Sequence, residues 1–424
     1  MTLVATIAHT ERVLSFEDAR HVVTEHAQQL SALRPPPTES LPLLAALGRV
    51  LAQPVLADRD LPPFPRATRD GFAVHASDVA TVVESRPVSL RVVAEIAAGT
   101  TATLPQIKEG ESAEIMTGAP VPTGADAVVM VEHTKRRGET VLVERAVRSG
   151  ENVVPRGAEA TRGARLLAPG ARIDHAAIAV AASVGCADLQ VFRKPRIAIL
   201  STGDELVELN APPGEHQIRN SNSFSLAAQV LEAGAEPIQL PIARDNLVSL
   251  RELIRQGLQA DLLLLSGGVS MGKYDLVEQV LGEFGAEIFI TGALIQPGRP
   301  VVFGCLGNIR TAPRYFFGLP GNPVSTMVTF RLFVRPVVDA LAGAPPSPLP
   351  FVQVKLKSEI KSKTGLTRFL PARISGSHTK TEVELVRWQG SGDIVATAAA
   401  NCYLVIPPDR DRIAAGEMVS VLLP

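Results

Sequence analysis

The chain has 424 residues, of which 46% are hydrophobic, 20% charged and 4% aromatic, with a formal net charge of −1. That balance predicts a soluble globular protein of two to four domains with cores of small aliphatic side chains, and it excludes the overall basic footprint of a nucleic-acid-binding protein. Cys186, Cys305 and Cys402 are too far apart for a metal spacing or a disulfide framework, which fits buried, inert thiols in a reducing cytoplasm. Glu11, Arg12, Glu17 and Asp18 interrupt the N-terminus, so no secretory leader is expected. No apolar run approaches the ~20 residues that span a bilayer.

In chain order, residues 15–33 read as a helix, capped by Ser15 with Asp18 three residues on and ended by Pro35-Pro36-Pro37. Residues 41–51 carry a second, short helical pattern. Pro62, Pro63 and Pro65 keep the following stretch extended, and Asp70-Gly71 marks a turn. Residues 88–147 read as all-β, with strands at 88–93, 127–131 and 140–144 and turn signals at Gly99, Gly110, Gly124 and Gly138. Helical periodicity returns at 175–184, so the β segment reads as an insertion between helical pieces that pack together.

From Arg196 the pattern alternates between strand and helix. Strands are expected at 197–200, 238–242, 262–265, 287–290, 301–303 and 315–317. Helices are expected at 223–232, at 247–258 with Leu250, Leu253, Ile254 and Leu258 on one stripe, from about 276 to 284, and after Asn322-Pro323. This is the signature of a doubly wound α/β domain. Ala342–Pro350, AGAPPSPLP, reads as a linker, and the remainder as a small β barrel or sandwich without a strong helix. The domains expected are 12–55 with 148–190, 56–147 inserted between them, 191–343, and 347–424.

The chain is organised around Asp261 to Asp275, DLLLLSGGVSMGKYD: a buried strand, a glycine turn and a helix start. In open α/β sheets ligands bind at the carboxyl ends of the strands. Gly267 to Lys273 has the spacing of a nucleotide-triphosphate loop, but Tyr274 stands where a magnesium-binding Ser or Thr is required. The turns at Ser201-Thr202-Gly203, Ser266-Gly267-Gly268 and Leu319 to Asn322, Gly321 included, offer backbone N–H groups to anions. Carboxylates recur beside them, at Asp204, Glu205, Asp245 and Asp275, with Asp70 and Glu159 in turns elsewhere. Several carboxylates in one crevice repel unless a cation holds them, and Mg²⁺ takes oxygen ligands and bridges phosphates. The combination predicts chemistry on a phosphorylated or nucleotide-bearing small molecule. The eight histidines form no zinc spacing, and G-x-S-x-G is absent.

Taken together, Arg69-Asp70-Gly71-Phe72-Ala73-Val74, Met116-Thr117-Gly118-Ala119-Pro120, Ser201-Thr202-Gly203-Asp204-Glu205, Ser266-Gly267-Gly268-Val269-Ser270, Pro297-Gly298-Arg299-Pro300 and Gly318 to Ser325 resemble the molybdopterin molybdenumtransferases, the MoeA and gephyrin E-domain family. The resemblance runs from about Leu14 to the C-terminus. It implies a multidomain α/β plus β fold: an elongated helical segment with an inserted β domain, a MogA-like doubly wound domain and a C-terminal β-barrel domain. It also implies a cytoplasmic homodimer that inserts molybdate into adenylylated molybdopterin with release of AMP, using Mg²⁺. The acids implied as catalytic are Asp70, Glu159, Glu205, Asp245 and Asp275, with Asp245 and Asp275 on the metal. Substrate contacts are implied for Thr117, for the three glycine turns with Asp204 and Asn322, and for Ser270 and Lys273. A molybdate pocket is implied at Gln296, Arg299, Pro300, Ser325 and Arg368. The implied partners are molybdate, the pterin substrate and a second copy of the chain, together with the upstream adenylyltransferase and recipient molybdoenzymes; nucleic acid and membrane are not among them.

Three positions depart from the family pattern. Glu159 replaces an Asp and keeps the charge. Gln296 replaces a Lys, which removes a cation from the anion pocket. Asn401-Cys402-Tyr403 stands where Asn-Gly-Leu is usual. Two other readings compete: a molybdopterin adenylyltransferase-like enzyme, which such a long chain disfavours, and a non-catalytic dimeric scaffold, which the retained carboxylates disfavour.

Overall fold

A computed structural model describes residues 12–33, 35–268, 276–307 and 313–424. The expectations placed on Ser270, Lys273 and Asp275 lie outside these residues.

Helix α1 (Phe16–Leu33) starts as its sequence predicts. Ser15 Oγ accepts from the Asp18 N–H at 3.0 Å and donates to the Asp18 carboxylate at 2.8 Å. Its apolar stripe, Ala19, Val23, Ala27 and Leu30, is buried in the core of the α/β domain. Arg20 crosses to the backbone of Leu332 and of Ser347. The 41–51 pattern is not a helix. Thr38–Pro42 is a strand paired antiparallel with Asp188–Phe192, followed by a single 3-10 turn, Leu43–Ala46. Pairing with a strand about 150 residues away overrides the local helical spacing. Helix α2 (His175–Ser183), capped by Asp174 through the Ala177 N–H at 2.8 Å, packs on that turn. The buried faces of α1 and α2 therefore lie in different cores.

His26 of α1 stacks on Phe289, with ring centroids 4.1 Å apart, and its Nδ1 lies 3.2 Å from the Tyr315 hydroxyl. Burial pushes the imidazole below its ordinary value, against smaller opposing effects of Glu25 and Glu287. The fold thus favours neutral His26. Its contribution to stability is complete above the ordinary imidazole value of about 6.5 and is lost as pH falls from there through the lowered folded value. Between pH 7 and 5 the melting temperature of the wild type should fall further than that of His26→Phe. Parallel melting curves would show that His26 does not titrate in this range.

The insertion folds as a six-stranded sheet among the described residues, in the order Ala127–Met130, Gly71–Val74, Glu111–Ile115, Val88–Ile96, Thr140–Val143, Thr134–Arg137. Gly71 is no hairpin turn: it opens a strand, and a Cβ there would lie 1.9 Å from the Val129 carbonyl oxygen. Only glycine permits that approach.

The α/β domain is a second sheet of six described strands: Glu236–Gln239, Arg196–Ser201, Leu262–Ser266, Arg314–Leu319, Val302–Leu306, Glu287–Ile290. The first four run parallel, and Val302–Leu306 runs antiparallel to both of its neighbours, so Glu287–Ile290 has the direction of the first four. The first strand lies two to three residues earlier than predicted, because Arg196 pairs with Glu236 and Ile199 with Gln239. Helices α3 (Ser221–Glu232), α4 (Leu247–Gly257), α5 (Leu276–Glu283), α6 (Pro323–Thr329) and α7 (Arg335–Leu341) cover both faces. Alternate strand residues feed the two cores. Ile197, Ile199, Leu262, Leu264 and Phe317 face α1, α3, α6 and α7, whereas Ala198, Leu200, Leu263, Leu265 and Phe316 face α4 and α5. Four consecutive leucines suit a strand with no solvent face.

Asp339 of α7 is fully buried; its Oδ1 accepts from Arg172 at 3.0 Å and Arg335 at 2.9 Å. These bonds tie the segment before α2 to the domain. The C-terminal region closes a ring of five strands, Phe351–Leu356, Thr381–Leu385, Thr367–Gly376, Cys402–Ile406 and Met418–Leu422. Val354, Leu370, Val383, Leu404 and Val421 fill this barrel. One short helix, α8 (Ile394–Ala399), capped by Asp393, interrupts it. Cys305 and Cys402 are buried, and burial pushes both thiols up to about 11, while Cys186 is half-buried. No helix of the described residues is long and apolar enough to cross a membrane.

Candidate active site

Three parallel strands of the α/β sheet end in register, with Ser201 beside Ser266 and Ser266 beside Leu319. The turns that follow are tied to one another. The Thr202 N–H donates to Ser266 O at 3.0 Å, Gly203 N–H to Ala243 O at 3.2 Å, and Gly267 N–H to Leu319 O at 3.2 Å. Gly267 and Gly268 adopt φ of 88° and 64°, and a Cβ on Gly267 would stand 2.6 Å from the Thr202 carbonyl oxygen. A Cβ on Gly321 would stand 3.7 Å from Gly267 Cα, so the turn after the third strand lies against the turn after the second.

Carboxylates gather on one side of this edge. Thr202 Oγ1 donates to Asp245 Oδ1 at 3.0 Å, and the Asp245 N–H reaches Asp204 Oδ1 at 3.4 Å. The Glu205 carboxylate folds back over Gly203, since a Cβ on that glycine would lie 2.3 Å from Glu205 Oε2. Of the three carboxylates expected to share a crevice, Asp204 and Asp245 are neighbours; Asp275 lies outside the described residues. Among the described residues no group of three or more His, Cys, Asp or Glu is arranged to hold a metal ion. The all-oxygen character of Asp204 and Asp245 fits a hard cation such as Mg²⁺, which takes few carboxylates and completes its shell with water and phosphate.

A second group forms where the barrel meets the α/β domain. Gln296 pairs with Arg368 across a two-residue parallel bridge. The loop after Gln296 lies on α6: a Cβ on Gly298, whose φ is 107°, would be 2.5 Å from Thr329 Cγ2 and 3.5 Å from Ser325 O. Ser325 is buried, Gln296 and Arg299 are exposed, and Pro300 is half-buried. Arg368 is 9% exposed, and its Nη1 is buried with no hydrogen-bond partner. Asn322 occupies the N-cap position of α6, but its side chain makes no capping bond.

Asp70 and Glu159 belong to a third group. Asp70 Oδ1 accepts from the Thr117 N–H at 2.7 Å and the Thr117 hydroxyl at 2.8 Å, and these bonds hold its carboxyl below the usual range. Glu159 pairs with Arg66 at 3.3 Å. Among the described residues no hydrogen bond or ion pair joins Asp70 or Glu159 to the carboxyl-edge group.

The sequence reading missed Arg66 and two asparagines, Asn220 and Asn222. Asn220 caps α3, and Asn222 Nδ2 donates to Ser266 Oγ at 2.9 Å and to Gly321 O at 2.8 Å. The available signal was an Asn three residues before Ser223, an N-cap spacing.

Comparison with known proteins agrees with this layout. Residues 14–185 match the family "MoeA N-terminal region (domain I and II)", residues 198–340 "Probable molybdopterin binding domain", and residues 353–423 "MoeA C-terminal region (domain IV)". A relative from Nostoc sp. is 38% identical over 402 residues, covering 91% of this chain and 88% of its own. One from Bacillus subtilis is 32% identical over 392 residues, covering 91% and 90%. Both are named molybdopterin molybdenumtransferase. Two structures of the molybdopterin biosynthesis MoeA protein from Pyrococcus horikoshii superpose over 97% of this chain. One covers 100% of its own chain with a TM-score of 0.77 at 28% identity, the other 99% with 0.70 at 31%. The fold and its carboxyl-edge site define a multidomain α/β protein built on a molybdopterin-binding type of domain. The chain belongs to the MoeA family.

Proposed function

We propose that this chain inserts molybdenum into molybdopterin: it takes adenylylated molybdopterin and molybdate, cleaves the adenylate with release of AMP, and leaves the metal on the dithiolene. The observation that carries this reading is the bare Nη1 of buried Arg368, paired in register with Gln296 at the start of a loop that packs on Ser325 and Thr329. A buried guanidinium N–H without a partner calls for an anion, and molybdate is one. The glycine turns at the carboxyl edge supply N–H groups for the phosphates of the pterin substrate. Asp245 with Asp275 would hold Mg²⁺, which when bound neutralises charge developing on the phosphoanhydride. Thr202 fixes the Asp245 carboxylate by its 3.0 Å bond.

The reading includes a homodimer in which the Asp70 and Glu159 group of one subunit faces the Ser266 turn of the other. Exposed apolar side chains support it. Leu44 and Leu47 are 79% and 60% exposed and Leu231 59%, and the two segments meet where a Cβ on Gly234 would lie 3.5 Å from Gly48 O. An adenylyltransferase-like role is disfavoured because the chain carries all three matched regions.

Complementation of a strain lacking this step, at low and high molybdate, tests the function. Failure at both, with the protein expressed and folded, favours a scaffold. Gln296→Lys tests the pocket. A hydrogen bond to a charged group contributes about 1.5–3 kcal/mol, and an amide in place of an ammonium loses part of that. The half-saturating molybdate concentration should therefore fall several-fold to about tenfold in Gln296→Lys. Gln296 is exposed, so stability should hardly change. Equal half-saturation in both proteins would mean that position 296 does not touch the anion.

A further inference from the structure

Ser201 and Ser266 end neighbouring strands as register partners and are 1% and 2% exposed, yet their hydroxyls are wired in opposite senses. Asn220 Oδ1 accepts the Ser223 backbone N–H at 3.2 Å. An N–H only donates, so that amide atom is oxygen. Ser201 Oγ lies 3.0 Å from the same oxygen and must donate to it. The Ser201 proton is committed to the cap of α3.

At Ser266 the logic runs the other way. The Asn222 amide stands 2.8 Å from the Gly321 carbonyl, which only accepts, so the facing atom is Nδ2. The same nitrogen is 2.9 Å from Ser266 Oγ, which must therefore accept. The Ser266 proton is left uncommitted, and among the described residues nothing takes it. Asn222 Oδ1 is buried with no partner. Rotating the amide to satisfy it would forfeit both donated bonds, so the fold retains an unmet acceptor in order to keep them.

We propose that Asn222 is a positioning residue that fixes the Ser266 hydroxyl as a hydrogen-bond donor to an anionic oxygen of the ligand at the 266–268 turn. Ser201, although equally buried, serves the helix cap. This rests on the reading that the turn binds molybdopterin. The second bond from the same Nδ2, to Gly321 O, holds the amide in the orientation that faces Ser266 Oγ.

Equilibrium dialysis of the full chain against molybdopterin tests the assignment, with melting temperatures measured alongside. Ser266→Ala should raise Kd about tenfold, the loss expected for one donor to a charged group. Asn222→Asp, whose carboxylate draws the Ser266 proton to itself, should raise it by at least as much. Asn222→Ala should weaken binding in the wild type but add less than about twofold in the Ser266→Ala background, because coupled residues do not add. Ser201→Ala should lower the melting temperature more than it lowers affinity. Equal loss of affinity in the two serine variants, or a full Asn222→Ala effect in the Ser266→Ala background, overturns the assignment while the functional reading stands. Wild-type protein that does not bind molybdopterin overturns that reading, and the assignment with it, before any variant is compared.

Discussion

Random mixtures of Asp70→Ala and Asp245→Ala chains are expected to recover about a quarter of wild-type activity, and isolated mixed dimers about half, where each variant alone has almost none. Asp70 is held by Thr117 in the β insertion, while Asp245 is held by Thr202 at the carboxyl edge of the α/β sheet. If each site takes Asp70 from one subunit and Asp245 from the other, every site in either homodimer lacks one acid. Loss of such a group typically costs 10²–10⁴-fold. Random mixing makes about half of the dimers mixed, and each mixed dimer has one intact site and one doubly damaged one. AMP release measured after co-refolding or co-expression, with mixed dimers isolated by two tags, reads this directly. Background activity in verified mixed dimers would place both acids in a site within one subunit.

The second large effect is expected at Arg368. Replacing it with Met should raise half-saturating molybdate by about ten- to a hundredfold, the weight of a charge-assisted donor in a dry site. Stability should hold or rise. Arg368 is nearly buried and its Nη1 is unpaired, so the free protein leaves a buried N–H donor unsatisfied. An apolar chain of similar length removes that cost. A variant that melts lower and keeps its molybdate response would show Arg368 to be structural. The opposite signs of the two effects separate a site for an anion from ordinary packing.

Where a signal was local, the sequence carried it. Four leucines bounded by Asp261 and a glycine pair specify a strand with two covered faces, and the turns after Ser201 and Ser266 follow from glycines whose φ no other residue tolerates comfortably. The Ser15–Asp18 cap was equally plain, since its partners lie three residues apart. Thr38–Pro42, which opens the misread segment 41–51, and Glu236–Gln239 were misplaced for one reason: each is a strand whose position is set by a distant partner, Asp188–Phe192 for the first and Arg196–Ser201 for the second. At the site, residue types identified carboxylates and anion turns, but the wiring did not follow from them. Asn222 looks like any polar residue at a helix start until Gly321, about a hundred positions later, is seen to lie within reach. Arg66 likewise acquires meaning only beside Glu159.

The burial of α1 has a consequence for how the chain is made. Its apolar stripe of Ala19, Val23, Ala27 and Leu30 rests on a core that includes Val337 and Val338, and Arg20 bonds a carbonyl 312 residues further on. During synthesis this helix emerges well before its mate, which is among the last segments of the α/β domain. At about 5–20 residues per second the stripe stays uncovered for tens of seconds. Its small side chains, chiefly alanine and valine, keep the exposed surface modest over that interval. The helix thus packs into a domain that it precedes by more than a hundred and fifty residues in sequence.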